Sequence, residues 1–462
     1  MHLTSFYKRL GYLTWLVMLA MAMMFYQERA FFMDAGFQLF NMINEQSIQI
    51  YHYRFITAVP QIIPYLLMKI NAPLWALAMA FSMSYILFFL LVYHVLVQHL
   101  KNIELGWVLI FLFTLISLDT FYHMQSEFYL GLSLLILSFG IILHNTDLTS
   151  KWQFPALSAL LFTVGFSHKL SLIFFIFLWL FFLLNKKELR HKRYYFLLVL
   201  FFAITAFKSV YFTNWYEAAK QVDFKNHFLE YFPNFHTLPS NMVFLKRCIF
   251  HYYMLPILLL SASIFYVSKK QWLKPVMIWA FTIGFILLYN ISDTRAANRF
   301  YSEVSYLPVI IFATVPFLFD MVPVLIKKIK WLPFIFIGIL ILRLTTIVNN
   351  QQVFENNFNW IESQLNNSEK LNTNRFLLTK EKAPLDTILM EWGVPFTAMH
   401  LSAIEHPKNA KTLLIMPDFN WYENKIKEND LFFSPFHKVF KNEELNNEYY
   451  DLENGNYILI DN

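Results

Sequence analysis

The stretch PLWALAMAFSMSYILFFLLVYHVLV at residues 73–97 decides the fold, because it is apolar almost throughout and contains no acid, lysine or arginine. An α-helix rises about 1.5 Å per residue, so about 20 such residues cross a hydrocarbon core about 30 Å thick. Comparable apolar runs recur as far as residue 348. The sequence therefore predicts an all-α polytopic membrane protein with about eleven transmembrane helices. The predicted spans are 10–26, 73–97, 104–118, 127–144, 154–166, 169–185, 195–212, 250–267, 274–291, 303–322 and 331–348.

The amino-acid composition supports the same conclusion. The chain is 57% hydrophobic and only 15% charged, and a soluble protein of 462 residues could not bury that much apolar surface. The single cysteine, Cys248, excludes an intramolecular disulfide and a cysteine-cluster metal site. Lys8 and Arg9 precede an apolar stretch as in a signal peptide, but no small-residue cleavage site follows and further spans continue. We therefore expect a retained first helix.

The basic residues indicate membrane orientation, and not nucleic-acid binding, because they concentrate in alternate short loops between the predicted spans. With the N-terminus inside, the inner loops hold most of the lysines and arginines, and the outer loops hold most of the acids. This asymmetry predicts a multi-pass protein of the cell inner (plasma) membrane with a cytoplasmic N-terminus and an exoplasmic, periplasmic C-terminus. The inner basic residues are Lys8, Arg9, Lys101, Lys151, Lys186, Lys187, Arg190, Lys192, Arg193, Lys269, Lys270, Lys274, Lys327, Lys328 and Lys330.

We predict two domains. Residues 1–348 form the transmembrane domain, and residues 27–72 form a long first exoplasmic loop within it. In that loop MDAGFQLFNMI (33–43) has helical apolar spacing, which favours the lipid interface. FITAVPQIIPYLLMKI (55–70) is apolar but interrupted by prolines, which favours a re-entrant or interfacial segment over a full span. Residues 349–462 become rich in Asn, Glu and Lys. There TLLIMPD and NYILIDN are typical of strands around a helix near PFTAMHLSAI, which predicts a small exoplasmic α/β domain.

The layout of the first loop also resembles a known family. Asp34 follows the first span closely, inside an aromatic segment. One span, a long exoplasmic loop with an early acid, many further spans and an exoplasmic C-terminal domain resemble the GT-C superfamily, which includes protein O-mannosyltransferases and lipid A aminoarabinose transferases. FYHMQSEFYLGLSLLIL (121–137) is similar to their acid-bearing second exoplasmic loop, and ANRFYSEVSYLPVII (297–311) is similar to an arginine-aromatic motif before a late span. The C-terminal domain has no such likeness.

The resemblance implies an integral membrane glycosyltransferase that moves a sugar from a polyprenyl-phosphate donor to a glycan, lipid or protein acceptor at the exoplasmic face. Its partners would be that donor, the acceptor and membrane lipids. The acceptor hydroxyl must lose a proton, so we expect Asp34 to be the general base, with Glu127 as the second catalytic candidate. The departing phosphate gains negative charge, which cationic side chains stabilise. The expected substrate-binding residues are Arg54, Asp119, His168, Lys169, Arg295 and Arg299.

Two of these assignments extend to a cofactor. Asp119 and Glu127 suit sugar or acceptor hydroxyls, and their oxygens also suit a divalent metal ion, so the sequence leaves the cofactor open and assigns no metal ligand. His52 and His123 lack the spacing of a zinc motif.

Each assignment has a purely structural alternative. Asp34 can cap the helix that follows it, and Glu127 can be a first-turn acid favoured by the helix dipole. Arg299 and Arg54 can be headgroup anchors, and His168 with Lys169 can reflect topology alone.

Three other functions also remain open. A transporter or flippase of lipid-linked saccharides would show charges deep in its spans and broken helices. A polysaccharide polymerase or ligase would use basic residues in a large loop such as 213–249. A non-catalytic assembly protein would use its tail to recruit a partner.

Overall fold

The computed structural model describes residues 2–366, 373–416, 425, 428–434 and 438–460 of the chain. These residues are predominantly helical, with two small sheets near the C-terminus. The helices are α1 (His2–Met24), α2 (Tyr26–Ala30), α3 (Met33–Asn44), α4 (Ala58–Lys69), α5 (Leu74–His94), α6 (Ile103–Thr114), α7 (Glu127–His144), α8 (Gln153–Ser167), α9 (Ser171–Asn185), α10 (Lys192–Tyr211), α11 (Trp215–Tyr231), α12 (Pro239–Phe250), α13 (Met254–Ser268), α14 (Leu273–Ser292), α15 (Arg299–Tyr306), α16 (Ile310–Pro316), α17 (Val322–Lys328), α18 (Leu332–Asn349), α19 (Gln351–Leu365), α20 (Leu385–Ile388) and α21 (Val394–Ala403). The strands are β1 (Arg375–Thr379), β2 (Thr412–Met416), β3 (Leu431–Phe433), β4 (Val439–Lys441) and β5 (Ile458–Leu459).

The count of membrane-length helices is smaller than the sequence predicted. Within the described ranges, 6 helical stretches are long and apolar enough to cross a membrane, or 7 if one bent pair is a single span. The multi-pass prediction is therefore supported, but the number eleven is not reached. The predicted span 10–26 lies mostly in α1, whose mean hydropathy is lowered by Lys8 and Arg9.

Three of the missing spans are short helices. The predicted spans 104–118, 154–166 and 169–185 correspond to α6, α8 and α9, which have 12, 15 and 15 residues. At about 1.5 Å per residue these helices extend only about 18 to 23 Å, which is less than the hydrocarbon thickness. Every residue of α6 from Leu105 to Thr114 is buried, so this helix lies inside the bundle and is surrounded by protein.

Helices α12 and α13 form the bent pair, with an angle of 85° between them. The bend coincides with His251–Tyr253, where the buried guanidinium of Arg343 donates to the His251 carbonyl at 3.2 Å. The same guanidinium donates to the carbonyls of Thr114 and Ser117 beyond the end of α6. A single buried arginine therefore satisfies carbonyl groups that two helix ends leave open.

The first loop and the C-terminal tail pack against one another. The sequence assigned the apolar residues of α3 to the lipid interface, but the ring of Phe40 instead contacts Phe396 on α21, Phe432 on β3 and Tyr450. Helix α4 continues through Pro64 as a regular helix and packs along α5. The tail thus covers the helix that presents Asp34.

The tail contains a parallel sheet in the order β2-β1-β5 and a separate β3-β4 hairpin. The predicted strands TLLIMPD and NYILIDN correspond to β2 and β5, and the predicted helix corresponds to α21; positions 417–418 and 461–462 of those motifs lie outside the described residues. The sequence missed the central strand β1. Helices α18 and α19 together form one helical stretch across residue 349, so the proposed domain boundary falls within it and stays a prediction.

Candidate functional site

Asp34 lies in the first turn of α3, where the cap position is occupied by Phe32. Asp34 therefore does not cap the helix, and the capping alternative is wrong. Its Oδ2 accepts a hydrogen bond from the Tyr301 hydroxyl at 2.9 Å and lies 2.9 Å from His123 Nε2. In the described part of the chain no hydrogen bond reaches Oδ1, and the side chain is 34% exposed. One carboxylate oxygen is thus fixed and the other is free.

His123 is the buried partner of Asp34. Its side chain is 2% exposed, and its Nδ1 has no hydrogen-bond partner within the described ranges. The rings of Phe300 and Tyr301 lie 5.2 Å away. A carboxylate oxygen only accepts hydrogen bonds, so His123 donates from Nε2 to Asp34. The sequence considered His123 only as a weak metal-ligand candidate and missed this contact.

Glu127 begins α7 and forms an ion pair with Arg54, each side chain being 14% exposed. The Arg54 guanidinium also lies 5.7 Å from the centre of the Tyr216 ring, and His52 stacks on that ring at 5.1 Å. Burial lowers the pKa of His52, and the positive charge of Arg54 adds to this effect. The charge of Glu127 is already compensated by Arg54 in this ion pair. Glu127 is therefore a weaker candidate base than Asp34.

Asp119 and Arg299 were assigned separately to substrate, but they bind one another. Arg299, at the start of α15, donates from Nε to Asp119 Oδ2 at 2.8 Å and from Nη2 to the other carboxylate oxygen. Asn350, between α18 and α19, donates to Asp119 at 3.0 Å. Within the described residues Nη1 of Arg299 donates no hydrogen bond, and the side chain is 39% exposed. A cavity of about 400 Å³ opens beside it towards α20; its lining includes Asn298, Asn356, Asp386 and Thr387 but neither Asp34 nor Glu127.

Glu303, a buried acid that the sequence did not single out as a site residue, supports the pair of Asp119 and Arg299. Glu303, one turn beyond Arg299 on α15, accepts from the backbone of Leu118 at 2.6 Å and from the backbone and hydroxyl of Thr120 at 2.9 and 2.8 Å. It therefore fixes the turn that contains Asp119. Its i, i+4 spacing from Arg299 within ANRFYSEVSYLPVII was the available signal.

Lys169 takes part in a second network with two residues that the sequence also missed. Its Nζ lies 2.8 Å from Glu217 Oε2, and Lys208 Nζ lies 3.4 Å from Glu217 Oε1. Burial would raise the pKa of Glu217, but the hydrogen bond from Lys169 and the charges of Lys208 and Arg54 outweigh it, so the pKa is lowered. Lys208 lies within the predicted span 195–212, where a lysine was the signal of an unusual site.

His168 lies between α8 and α9 and stacks on Phe128 at 4.4 Å. Burial lowers the pKa of His168 well below its usual value, and Arg54, Lys208 and Lys169 contribute to the shift. The imidazole is therefore neutral near pH 7.

The structure brings most of the predicted site residues to one end of the helices. Burial raises the pKa of Tyr216; the charge of Arg54 opposes this shift, while those of Glu127, Asp34 and Glu217 add to it. The Arg54 guanidinium lies 5.7 Å from the Tyr216 ring, and the adjacent Glu217 contacts Lys169 and Lys208. The Asp119 carbonyl accepts from the His123 backbone at 2.8 Å, which links the Arg299 pair to Asp34.

Arg295 is the exception among the predicted residues. It is exposed and makes no ion pair within the described residues, so it stands outside these networks. In the same ranges no group of three or more His, Cys, Asp or Glu side chains is arranged to hold a metal ion.

Comparison of the chain with protein-family models, curated proteins and solved structures finds no match.

Proposed function

We propose that this chain is an integral membrane glycosyltransferase of GT-C type, which transfers a sugar from a polyprenyl-phosphate donor to an acceptor hydroxyl at the exoplasmic face. The observation that supports it most is the asymmetry of Asp34. Oδ2 is bound by His123 and Tyr301, while Oδ1 receives no hydrogen bond from the described residues and the side chain is 34% exposed. A general base needs one oxygen available for the incoming proton and a carboxylate held in position.

In the proposed reaction the acceptor oxygen bonds to the anomeric carbon as its proton passes to Asp34 Oδ1. The bond between that carbon and the phosphate oxygen breaks, and the phosphate leaves with the electron pair. Lys169 and Lys208 both contact Glu217, and the Arg54 guanidinium lies 5.7 Å from the ring of the adjacent Tyr216, so their charges can stabilise the departing group. Glu127 and Asp119 are already paired with arginines, so they orient those side chains instead of acting as bases.

The proposal retains the eleven-segment layout and the orientation with an outside C-terminus. Support comes from the buried position of α6, because a short helix surrounded by others need not match the bilayer thickness. Further support comes from the outer-loop residues, which converge at one end of the bundle. That end is a suitable depth for a phosphate anchored in the membrane by its lipid tail.

The decisive variant is Asp34→Asn, which keeps the shape of the side chain but removes the base. We expect transfer to be abolished while the donor stays bound, because the donor is held mainly by its phosphate and tail. Single-turnover transfer from a synthetic polyprenyl-phosphate sugar measures the first effect, and titration with the same donor measures the second. Asp223→Asn on exposed α11 serves as the matched control. Transfer at near the parental rate in Asp34→Asn would eliminate Asp34 as the base.

A second candidate function is transport of a lipid-linked saccharide, and the 85° bend between α12 and α13 favours it, since transporters use discontinuous helices. Arg343 at that bend binds carbonyl groups, which accounts for the bend structurally. Proteoliposomes loaded with labelled donor and no acceptor distinguish the two functions. A transporter moves the donor between leaflets under these conditions, whereas the proposed enzyme does not.

A further inference from the structure

Glu217 stands out because two lysines approach one carboxylate. Lys169 contacts one oxygen and Lys208 the other, and Lys208 is only 1% exposed. Arg54 adds a third positive charge that acts on the same group, while its own partner is Glu127. Within the described residues, Lys169 and Lys208 thus share the one carboxylate of Glu217.

The helix that holds Glu217 is loosely attached. Helix α11 presents Trp215, Val222 and Leu229 outwards, and these side chains are all more than half exposed. Its N-terminal turn lies over the first loop, where Tyr216 stacks on His52. Further along the helix, His227 lies 3.0 Å from the Ile291 carbonyl. Few buried contacts therefore oppose displacement of this helix.

We propose that Lys169, Lys208 and Arg54 form a binding site for the phosphate group of a membrane lipid, in which the Glu217 carboxylate is a displaceable internal anion and α11 is the lid. Carboxylate and phosphate oxygens are recognised by the same charged donors. When phosphate enters, Glu217 leaves the two lysines and the N-terminal turn of α11 moves away with it.

The surroundings favour a lipid phosphate over a free one. Val210 and Tyr211, two and three residues beyond Lys208 at the end of α10, are 70% and 72% exposed and offer an apolar surface to a lipid chain. The identity of that lipid as the sugar donor rests on the proposed function, but the anion site and its lid do not.

Glu217→Gln separates this role from a purely structural ion pair. The amide keeps the shape of the side chain but gives up the charge that competes for both lysines. We expect farnesyl phosphate to bind this variant about tenfold more tightly than the parent in titration calorimetry, which corresponds to about 1.4 kcal/mol. Lys169→Gln, at a partly exposed position, should weaken binding by a similar factor. Glu230→Gln, on the exposed end of the same helix, is the control and should bind like the parent.

Hydrogen exchange of the backbone amides measures whether the N-terminal turn of α11 is displaced. Farnesyl phosphate should accelerate exchange of the backbone amides of residues 215–220 in the parent protein. Equal affinity of the parent and Glu217→Gln, or full binding by Lys169→Gln, would overturn the proposal. Inorganic phosphate binding as tightly as farnesyl phosphate would overturn the lipid assignment. Tighter binding by Glu217→Gln in a protein that shows no sugar transfer would support this site and reject the proposed enzyme.

Discussion

Two hydrogen bonds fall on the same oxygen of Asp34, and both donors come from distant parts of the chain. His123 is 89 positions away and Tyr301 is 267 positions away. Sequence reasoning selected Asp34 from its place after the first span, but it could not find these partners because nothing local relates them. It also assigned Arg54, Asp119 and Arg299 to substrate and Glu127 to catalysis, each separately. The structure pairs them, because a charge removed from water requires an opposite charge.

Tyr301→Phe tests whether holding Asp34 Oδ2 in place matters for sugar transfer. The change removes one hydrogen bond to a charged group and leaves the ring in place, so the carboxylate is held less firmly. We expect kcat to fall about tenfold, the equivalent of about 1.5 kcal/mol, with KM for the donor nearly unchanged. Steady-state kinetics at varied donor concentration measures kcat and KM separately. Tyr195→Phe, at an exposed position near the start of α10, should leave both constants unchanged. A change in KM alone would show that Tyr301 binds the donor and does not position the base.

At the scale of elements, α21 determines where α3 lies. Thr397 donates to the Phe31 carbonyl at 2.8 Å, and His400 Nε2 lies 2.9 Å from the Gly36 carbonyl. The other imidazole nitrogen lies 2.9 Å from the Tyr450 hydroxyl. The sequence predicted a helix at 395–404 from its apolar pattern but assigned it no partner. The strand β1 was missed because RFLLT begins with arginine; Arg375 is nevertheless buried and binds the Leu431 carbonyl and Asn442.

The contact between α21 and α3 should depend on pH through His400. Burial lowers the pKa of His400 to about 4, whereas a histidine in the unfolded chain has a pKa of about 6.5. The unfolded state binds more protons between these values, so the folded tail loses up to about 3 kcal/mol as the pH falls from about 6.5 to about 4.

Hydrogen exchange of the α21 amides across this pH range measures the effect. The parent should lose protection as the pH falls, and His400→Gln should lose less, because glutamine does not titrate. The buried His168 is present in both proteins, so the difference between them isolates His400. Parallel pH profiles for the two proteins would contradict the assignment.

At the scale of the whole molecule, the contacts of the tail place it on the same side of the membrane as Asp34. Asn446 donates to the Ile43 carbonyl at 3.0 Å, and the Tyr449 hydroxyl donates to the Ala72 carbonyl at 3.0 Å. Hydropathy was sufficient to predict a helical multi-pass protein, since apolar runs appear directly in the sequence. It did not separate the 6 or 7 stretches long enough to cross a membrane from the shorter ones, because a short apolar helix buried in protein has the same composition as a helix that crosses lipid.

The orientation of the chain follows from the distribution of lysine and arginine, and it predicts an exoplasmic C-terminus. Alkaline phosphatase fused after Asn462 should be active, and a fluorescent protein that folds only in the cytoplasm should be dark there. Fusion of the fluorescent protein after Lys270, in a predicted inner loop, should give the opposite signal. Because α21 binds the Phe31 and Gly36 carbonyls, the position of the tail also fixes the side on which Asp34 lies. A fluorescent C-terminal fusion would therefore place Asp34 in the cytoplasm and reject transfer at the exoplasmic face, while leaving the contacts of Asp34 unchanged.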